Sequence, residues 1–318
     1  MAGRQTFPTE GCIRTVAYVL SVAIVGGSAT AWAHRVANGD YVTLDEVSRR
    51  FNLGSQELIA EVNHRDILLS SVRHWLNTPV ISARGELWVS ATDVEQTIQP
   101  VAQPHGVPAD AIVLDPGHGG VDSGTRGAHS MEKELTLDLA KRLEPILVAR
   151  GFRVYPTRTT DCTLSLDERV EYCRRLGADL FVSLHFNAGG DAKGIETYCL
   201  TPEGESSTAR PRSNIRALAP TTANPHNAAS VWLAHCVQRA LMAATQAEDR
   251  GVRRAQFLVL RRAPCPAILI EGGFLSNASE EQQLLRADYR DRLAQAIAEG
   301  IVAYCGDNHG GSHGKRGA

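Results

Sequence analysis

Ala111-Ile112-Val113-Leu114-Asp115-Pro116-Gly117-His118-Gly119-Gly120 is the stretch around which this chain is organised. The apolar run reads as a buried strand, and Asp-Pro-Gly as its abrupt end. Glycine on either side of His118 lets the backbone turn tightly and leaves the imidazole accessible. On this stretch alone, a solvated histidine in a turn explains the pattern as well as a functional one does. What decides between them is whether other residues converge on His118.

Downstream, Met131 to Arg150 is expected to be a helix, because Leu135, Leu139, Leu143 and Leu147 recur on one face. Ser130 is its expected cap, and Glu132 lies in the first turn, where a carboxylate suits the helix dipole. Pro145 should kink or interrupt it, and Gly151 stops it. Strands are expected over Phe152–Thr157, Ala178–Leu184, Gly194–Leu200 and Ala267–Ile270. Helices are expected over Ser165–Leu176, Ala228–Ala244 and Ala287–Tyr304. The alternation implies an α/β layered sheet. Three apolar strands then end on side chains that bind metals or move protons: His118, His185 and Glu271. Each is followed by glycine or by Asn-Ala-Gly. Sites in open α/β sheets form outside the carboxyl ends of the strands. Glu132, opening the helix after the first of these strands, is placed to join them.

Two histidines and a carboxylate, with a water in the fourth position, make a catalytic zinc site. Zinc makes the water acidic enough to ionise near neutrality and polarises a carbonyl. A further carboxylate can take the water's proton and pass it to a leaving amine. His118, Glu132 and His185 suit the ligand roles and Glu271 that of general base and acid. The local signal is diffuse, because the ligands are far apart and no HExxH-like motif is present. Nucleophilic catalysis has less support: there is no GxSxG, and no cysteine sits at an evident histidine-paired helix start.

Taken together, several segments closely resemble the zinc-dependent N-acetylmuramoyl-L-alanine amidases. They are Leu114 to Gly120 with Asp122 and Gly124, Glu132-Lys133, Ser183-Leu184-His185-Phe186-Asn187-Ala188, and Ile270-Glu271-Gly272-Gly273-Phe274-Leu275-Ser276-Asn277. The resemblance covers about Ala111 to Tyr304, with the motifs in the family's order. It implies a mixed sheet of about six strands flanked by helices. It also implies Zn2+ held by His118, Glu132 and His185, Glu271 as the catalytic glutamate, and peptidoglycan as substrate. The bond cut would join the lactyl group of muramic acid to L-alanine of the stem peptide. Asn187 and Arg253 are candidate substrate contacts, although capping or salt bridging explains them about as well, as it does Arg254. Arg158 and Leu166 to Arg169 match the family's scaffold. Some members carry an inhibitory helix displaced by an activator protein, which makes an activator a candidate partner. The polar stretch Thr201 to Asn227 stands where such a helix could be inserted, but its proline and asparagine content argues against one.

The remaining sequence frames this domain. Arg4 and Arg14 precede an apolar, small-residue stretch from Thr15 to Gly27, and Ala31-Trp32-Ala33 offers a small-x-small site. That is a secretory signal pattern, with cleavage expected after Ala33 and export to the periplasm or cell envelope. The apolar core is short for a span of about 20 residues, so no stable membrane insertion is expected once the signal is removed. Residues 38–100 read as a small α+β module. Tyr41 to Val47 echoes Leu87 to Val94, and Arg84-Gly85-Glu86 is a hairpin turn. Its His64 and His74 read as surface or packing residues. Residues 101–108 read as a linker, 109–305 as the catalytic domain and 306–318 as a disordered tail. Beyond Cys12, the cysteines at 162, 173, 199, 236, 265 and 305 are dispersed, with no CxxC. A net charge of −2 and no dense run of lysine and arginine exclude nucleic acid as a partner. Three readings remain open: a peptidoglycan amidase, a zinc peptidase or deacetylase acting on another amide, and an inactive wall-binding relative.

Overall fold

The computed structural model describes residues 34–36, 39–53, 58–104, 106, 108–208 and 224–306. The signal segment with its expected cleavage after Ala33, residues 209–223 of the long polar stretch, and the tail from residue 307 lie outside the described residues. Among the described residues, no helix is long and apolar enough to cross a membrane.

The first third of the chain holds β1 (His34–Val36), β2 (Gly39–Thr43), α1 (Leu44–Phe51), β3 (Leu58–Ala60), β4 (Asp66–Leu69), β5 (Val72–Trp75), β6 (Ile81–Ala83) and β7 (Glu86–Ser90). Thr43 caps α1, its hydroxyl accepting from the Glu46 N–H. Next come α2 (Ala91–Asp93), a wider π-type turn over Val94–Ile98, and α3 (Gln99–Ala102). Helical structure thus runs into the stretch expected as a linker. Pro100 explains the irregularity. It has no N–H to offer the Gln96 carbonyl four residues back. The Gln99 N–H reaches Val94 instead, and the freed Gln96 carbonyl accepts from Arg254 and Asn227.

The remainder contains β8 (Ala111–Pro116), α4 (Glu132–Ala149), β9 (Arg153–Pro156), α5 (Leu166–Leu176), β10 (Leu180–Asn187) and β11 (Ile195–Leu200). It continues with α6 (Asn227–Thr245), β12 (Asp249–Ala255), α7 (Leu258–Arg262), β13 (Ala267–Phe274), α8 (Ala278–Leu284) and α9 (Ala287–Cys305). α4 continues through Pro145. Ser130 does not cap it: Met131 occupies the cap position without a side-chain bond, and the Ser130 hydroxyl donates to Glu281 of α8. Ser165 and Glu168 form a reciprocal capping box on α5.

The main sheet runs β3-β4-β5-β12-β11-β13-β10-β8-β9. Its six strands from β12 to β9 are the mixed sheet expected: β13-β10-β8-β9 are parallel, and β11 is antiparallel to β13. The other three strands come from the 38–100 segment. β5 joins β12 in parallel at His74↔Val252, and the contact is fastened by Arg73 N–H to Asp249 (2.9 Å) and Trp75 Nε1 to the Arg250 carbonyl (2.7 Å). The rest of that segment forms a separate antiparallel sheet, β1-β2-β7-β6.

Strand period decides which side chains meet. Ile112, Leu114, Leu180, Val182, Leu184, Ile268 and Ile270 face α4, α6 and α9 in one core. Val113, Phe181, Leu269, Tyr198 and Leu200 face α5 and α7 in the other. Continuing that alternation, Asp115, His185, Glu271 and Glu196 belong to the second face. There they lie beyond the reach of the apolar core, toward the carboxyl ends of β8, β10 and β13.

Candidate metal centre and active site

His118 leaves β8 in a left-handed backbone conformation, φ +60°. For a residue with a Cβ this costs on the order of 1–2 kcal/mol. Surrounding contacts hold it there. Arg169 donates to the His118 carbonyl (2.8 Å) and Arg158 to the Gly117 carbonyl (2.9 Å). Arg169 is itself paired with Asp115 at 2.7 Å, both buried, and Asp115 also accepts from Thr157 (2.7 Å) and Ser183 (2.9 Å). The Asp-Pro-Gly-His signature thus contains its own anchor. Gly117 is required by proximity, since a Cβ there would stand 2.2 Å from the His185 ring. Gly124 answers to the same crowding: at φ +63°, its Cβ would lie 2.6 Å from both Glu132 and His118.

The three expected ligands converge. Glu132 Oε1 lies 3.1 Å from His118 Nε2 and 2.8 Å from His185 Nδ1, and the candidate ligand atoms all fall within 4.8 Å of one another. Bonds of about 2.0–2.2 Å to one tetrahedral ion place ligand atoms roughly 3.3–3.6 Å apart, so the set fits a zinc-sized cation. The outer partners fit as well. His118 Nδ1 meets Asp122 Oδ2 at 2.8 Å, which leaves Nε2 facing the cluster. Glu132 Oε2 accepts from the Thr125 N–H (2.7 Å), and Oε1 also accepts from the Phe186 N–H (3.1 Å). Burial disfavours the Glu132 carboxylate, but hydrogen bonds and charge from His118 and His185 outweigh it and hold its pKa well below the usual range. His118 shows the reciprocal effect: burial lowers its pKa, and the bonds to Glu132 and Asp122 carry it above the ordinary value.

Glu271 sits beside His185 in the parallel register of β10 and β13. It is buried, its Oε2 has no hydrogen-bond partner, and its pKa is driven well above the carboxylate range. Burial is the main cause, followed by the charges of Glu132 and Glu196. A carboxyl group with a free oxygen and a raised proton affinity suits proton transfer.

The two candidate substrate contacts are elsewhere. Asn187 ends β10, with its amide 3.4 Å from Glu196 and its own oxygen accepting from the Ala188 N–H. Arg253 is only 7% exposed. Its guanidinium lies 4.2 Å over the Trp75 ring and donates to the carbonyls of Arg250 and Thr208. Neither makes a described bond to the ligand triad.

Sequence reading passed over two neighbours. Glu196 stands opposite Glu271 across β11 and β13. It is buried and bonded to Arg250 and the Tyr198 hydroxyl. Its signal was alternation with Tyr198 on a short β-branched and apolar strand. Glu281 of α8 accepts from the Ala128 and His129 N–H groups and so fixes the loop leading into Glu132. The signal for α8 was Asn277 three residues before Glu280: the Asn277 side chain accepts from the Ser279 and Glu280 N–H groups.

Comparison with known proteins identifies the family. The N-acetylmuramoyl-L-alanine amidase family model of the Amidase_3 type matches residues 112–303, more than half of the chain. The chain is 32% identical over 253 residues to N-acetylmuramoyl-L-alanine amidase LytC of Bacillus subtilis, covering 79% of this chain but only 43% of LytC. It therefore spans less than half the length of that relative. Among solved structures, an N-acetylmuramoyl-L-alanine amidase from Clostridium difficile 630 is 34% identical with a TM-score of 0.54, covering 64% of this chain and all of the other. The catalytic domain of CwlV from Bacillus (Paenibacillus) polymyxa is 36% identical with a TM-score of 0.51, covering 61% of this chain and 97% of that domain. With the family model matching over half its length and relatives above 30% identity, the chain belongs to the N-acetylmuramoyl-L-alanine amidase family.

Proposed function

We propose that this protein is a zinc-dependent amidase of the cell envelope that hydrolyses the bond between N-acetylmuramic acid and L-alanine in peptidoglycan. The observation that carries this reading is the unpartnered Oε2 of buried Glu271 beside the convergent His118, Glu132 and His185. His118, Glu132 and His185 would hold the ion, which when bound supplies Lewis acidity to the amide carbonyl and to a water. The chain provides the rest. Asp122 orients the His118 ring, and Thr125 and Phe186 N–H groups fix the Glu132 carboxylate. Glu271 takes the proton of the attacking water at Oε2 and delivers it to the leaving L-alanine nitrogen. Its burial favours the protonated form, which helps the second transfer. Residues 38–100 are read as a positioning module fixed to the catalytic part, and the amino-terminal segment as an export signal.

Metal analysis with digestion of purified sacculi tests the proposal. The expected result is one zinc per chain and release of free stem peptides, abolished by a chelator and restored by zinc. Glu271→Ala should keep the zinc and lose at least 100-fold in rate. Zinc-loaded protein that releases no stem peptide would sink the amidase reading, and release of acetate would establish a deacetylase.

A further inference from the structure

We infer that Arg250 recognises a carboxylate on the leaving peptide, a specificity role that rests on the proposed amide hydrolysis. Two guanidinium groups, those of Arg250 and Arg253, share the Glu196 carboxylate, at 2.5 and 3.5 Å. Among the described residues, neither pairs with another carboxylate. Glu280, which also acts electrostatically on this patch, is engaged by the N–H groups of Gly194 and Phe274. The terminal nitrogens of Arg250 are therefore not committed to any of these carboxylates.

The two arginines differ in what they leave free. Arg253 is buried against Trp75 and bonded to main-chain carbonyls. Arg250 uses only Nε on Glu196 and lies 4.8 Å over the Phe274 ring, with 25% of its side chain exposed. Its two terminal nitrogens make no described hydrogen bond. They form a planar pair of donors held on an aromatic face, a geometry that matches a carboxylate.

Placement says which carboxylate. Glu196 is the register partner of Glu271, one strand spacing or about 5 Å away. The Arg250 guanidinium, bonded to Glu196 and lying over Phe274 of the strand that carries Glu271, stands about two residues of extended peptide, at roughly 3.5 Å each, from the carboxyl that protonates the leaving amine. The group it meets is an acidic function at the residue following the alanine.

The test uses two muramoyl peptides that differ only in a free carboxylate or a carboxamide on that second residue, assayed with the zinc-loaded full chain. The wild-type protein is expected to prefer the acid by about 10-fold or more in kcat/KM, as one charge-assisted pair provides. Arg250→Gln should bring the ratio to about one, mainly through KM on the acid, and Arg250→Lys should recover part of it. Damage to folding lowers both substrates together and leaves the ratio intact. A ratio unchanged in Arg250→Gln, or no preference in the wild type, overturns the assignment while the amidase reading stands. No hydrolysis of either substrate by the wild type overturns both.

Discussion

At the scale of single residues, the site depends on side chains that never touch an ion. Asp122 is the clearest case: its carboxylate bonds His118 Nδ1 and receives the Gly124 N–H (3.0 Å). It fixes the ring and raises its basicity as a ligand. Asp122→Ala should therefore weaken zinc binding by about 10- to 100-fold, read by competition with a chromophoric chelator. Thermal stability of the metal-free protein should hardly move, because Asp122 is exposed. An unchanged zinc affinity would show that the backbone alone orients His118. Arg250 and Arg253 carry a different lesson. Both are arginines of one strand, and the sequence favoured Arg253 as the contact. The register irregularity between Ile195 and Glu196, opposite Asp249 and Gly251, sets which arginine is covered. No spacing rule reveals such an irregularity.

Among elements, the critical junction is that of β8 with α5. The buried Arg169–Asp115 pair joins them, and Arg169 further donates to the Pro116 (2.8 Å) and His118 carbonyls. Removing one partner of such a pair leaves a buried charge unanswered, at a cost of about 3–5 kcal/mol. Arg169→Met should show that loss in urea unfolding, together with weaker zinc retention as the His118 turn relaxes. A stability change below about 1 kcal/mol would mean that the other contacts suffice. The main strands and helices lay within sequence reasoning because apolar periodicity and caps are local, whereas this pair, between residues 54 apart, did not. The helix expected from Ser165 is α5, capped by the Ser165–Glu168 box. Ser130 misled, because a hydroxyl next to a helix start is equally free to bond another element, and Glu281 claims it. The pairing of β5 with β12 was also out of reach, since its ladder and its fastening by Asp249 and Trp75 join residues more than 170 apart in sequence.

For the whole molecule, the seam between the 38–100 segment and the rest of the chain includes a pair of buried histidines. His74 of β5 and His235 of α6 share one hydrogen bond, Nε2 to Nδ1 at 3.0 Å, and Trp232 stacks on His235. One ring donates and the other accepts, so the accepting ring must be neutral, and burial keeps the donating ring neutral as well. The His74 pKa lies well below normal through burial, then the charges of His235 and Arg254. His235 falls to about 3 through burial, then the charge of Arg239. In the unfolded chain both return to about 6.5. Since the unfolded state binds these protons first, stability is full above about pH 6.5 and falls as pH drops toward the folded pKa. Each histidine then removes about 1.4 kcal/mol per pH unit over that interval. Urea midpoints measured at pH 7.5, 6.5 and 5.5 should therefore decline between the last two values. The double variant His74→Phe, His235→Leu removes both protonation sites and should flatten that decline, even if its stability at pH 7.5 differs from that of the parent. An equally steep acid limb in the double variant would place the acid sensitivity elsewhere, and the seam would then be a packing contact whose histidines take no part in it.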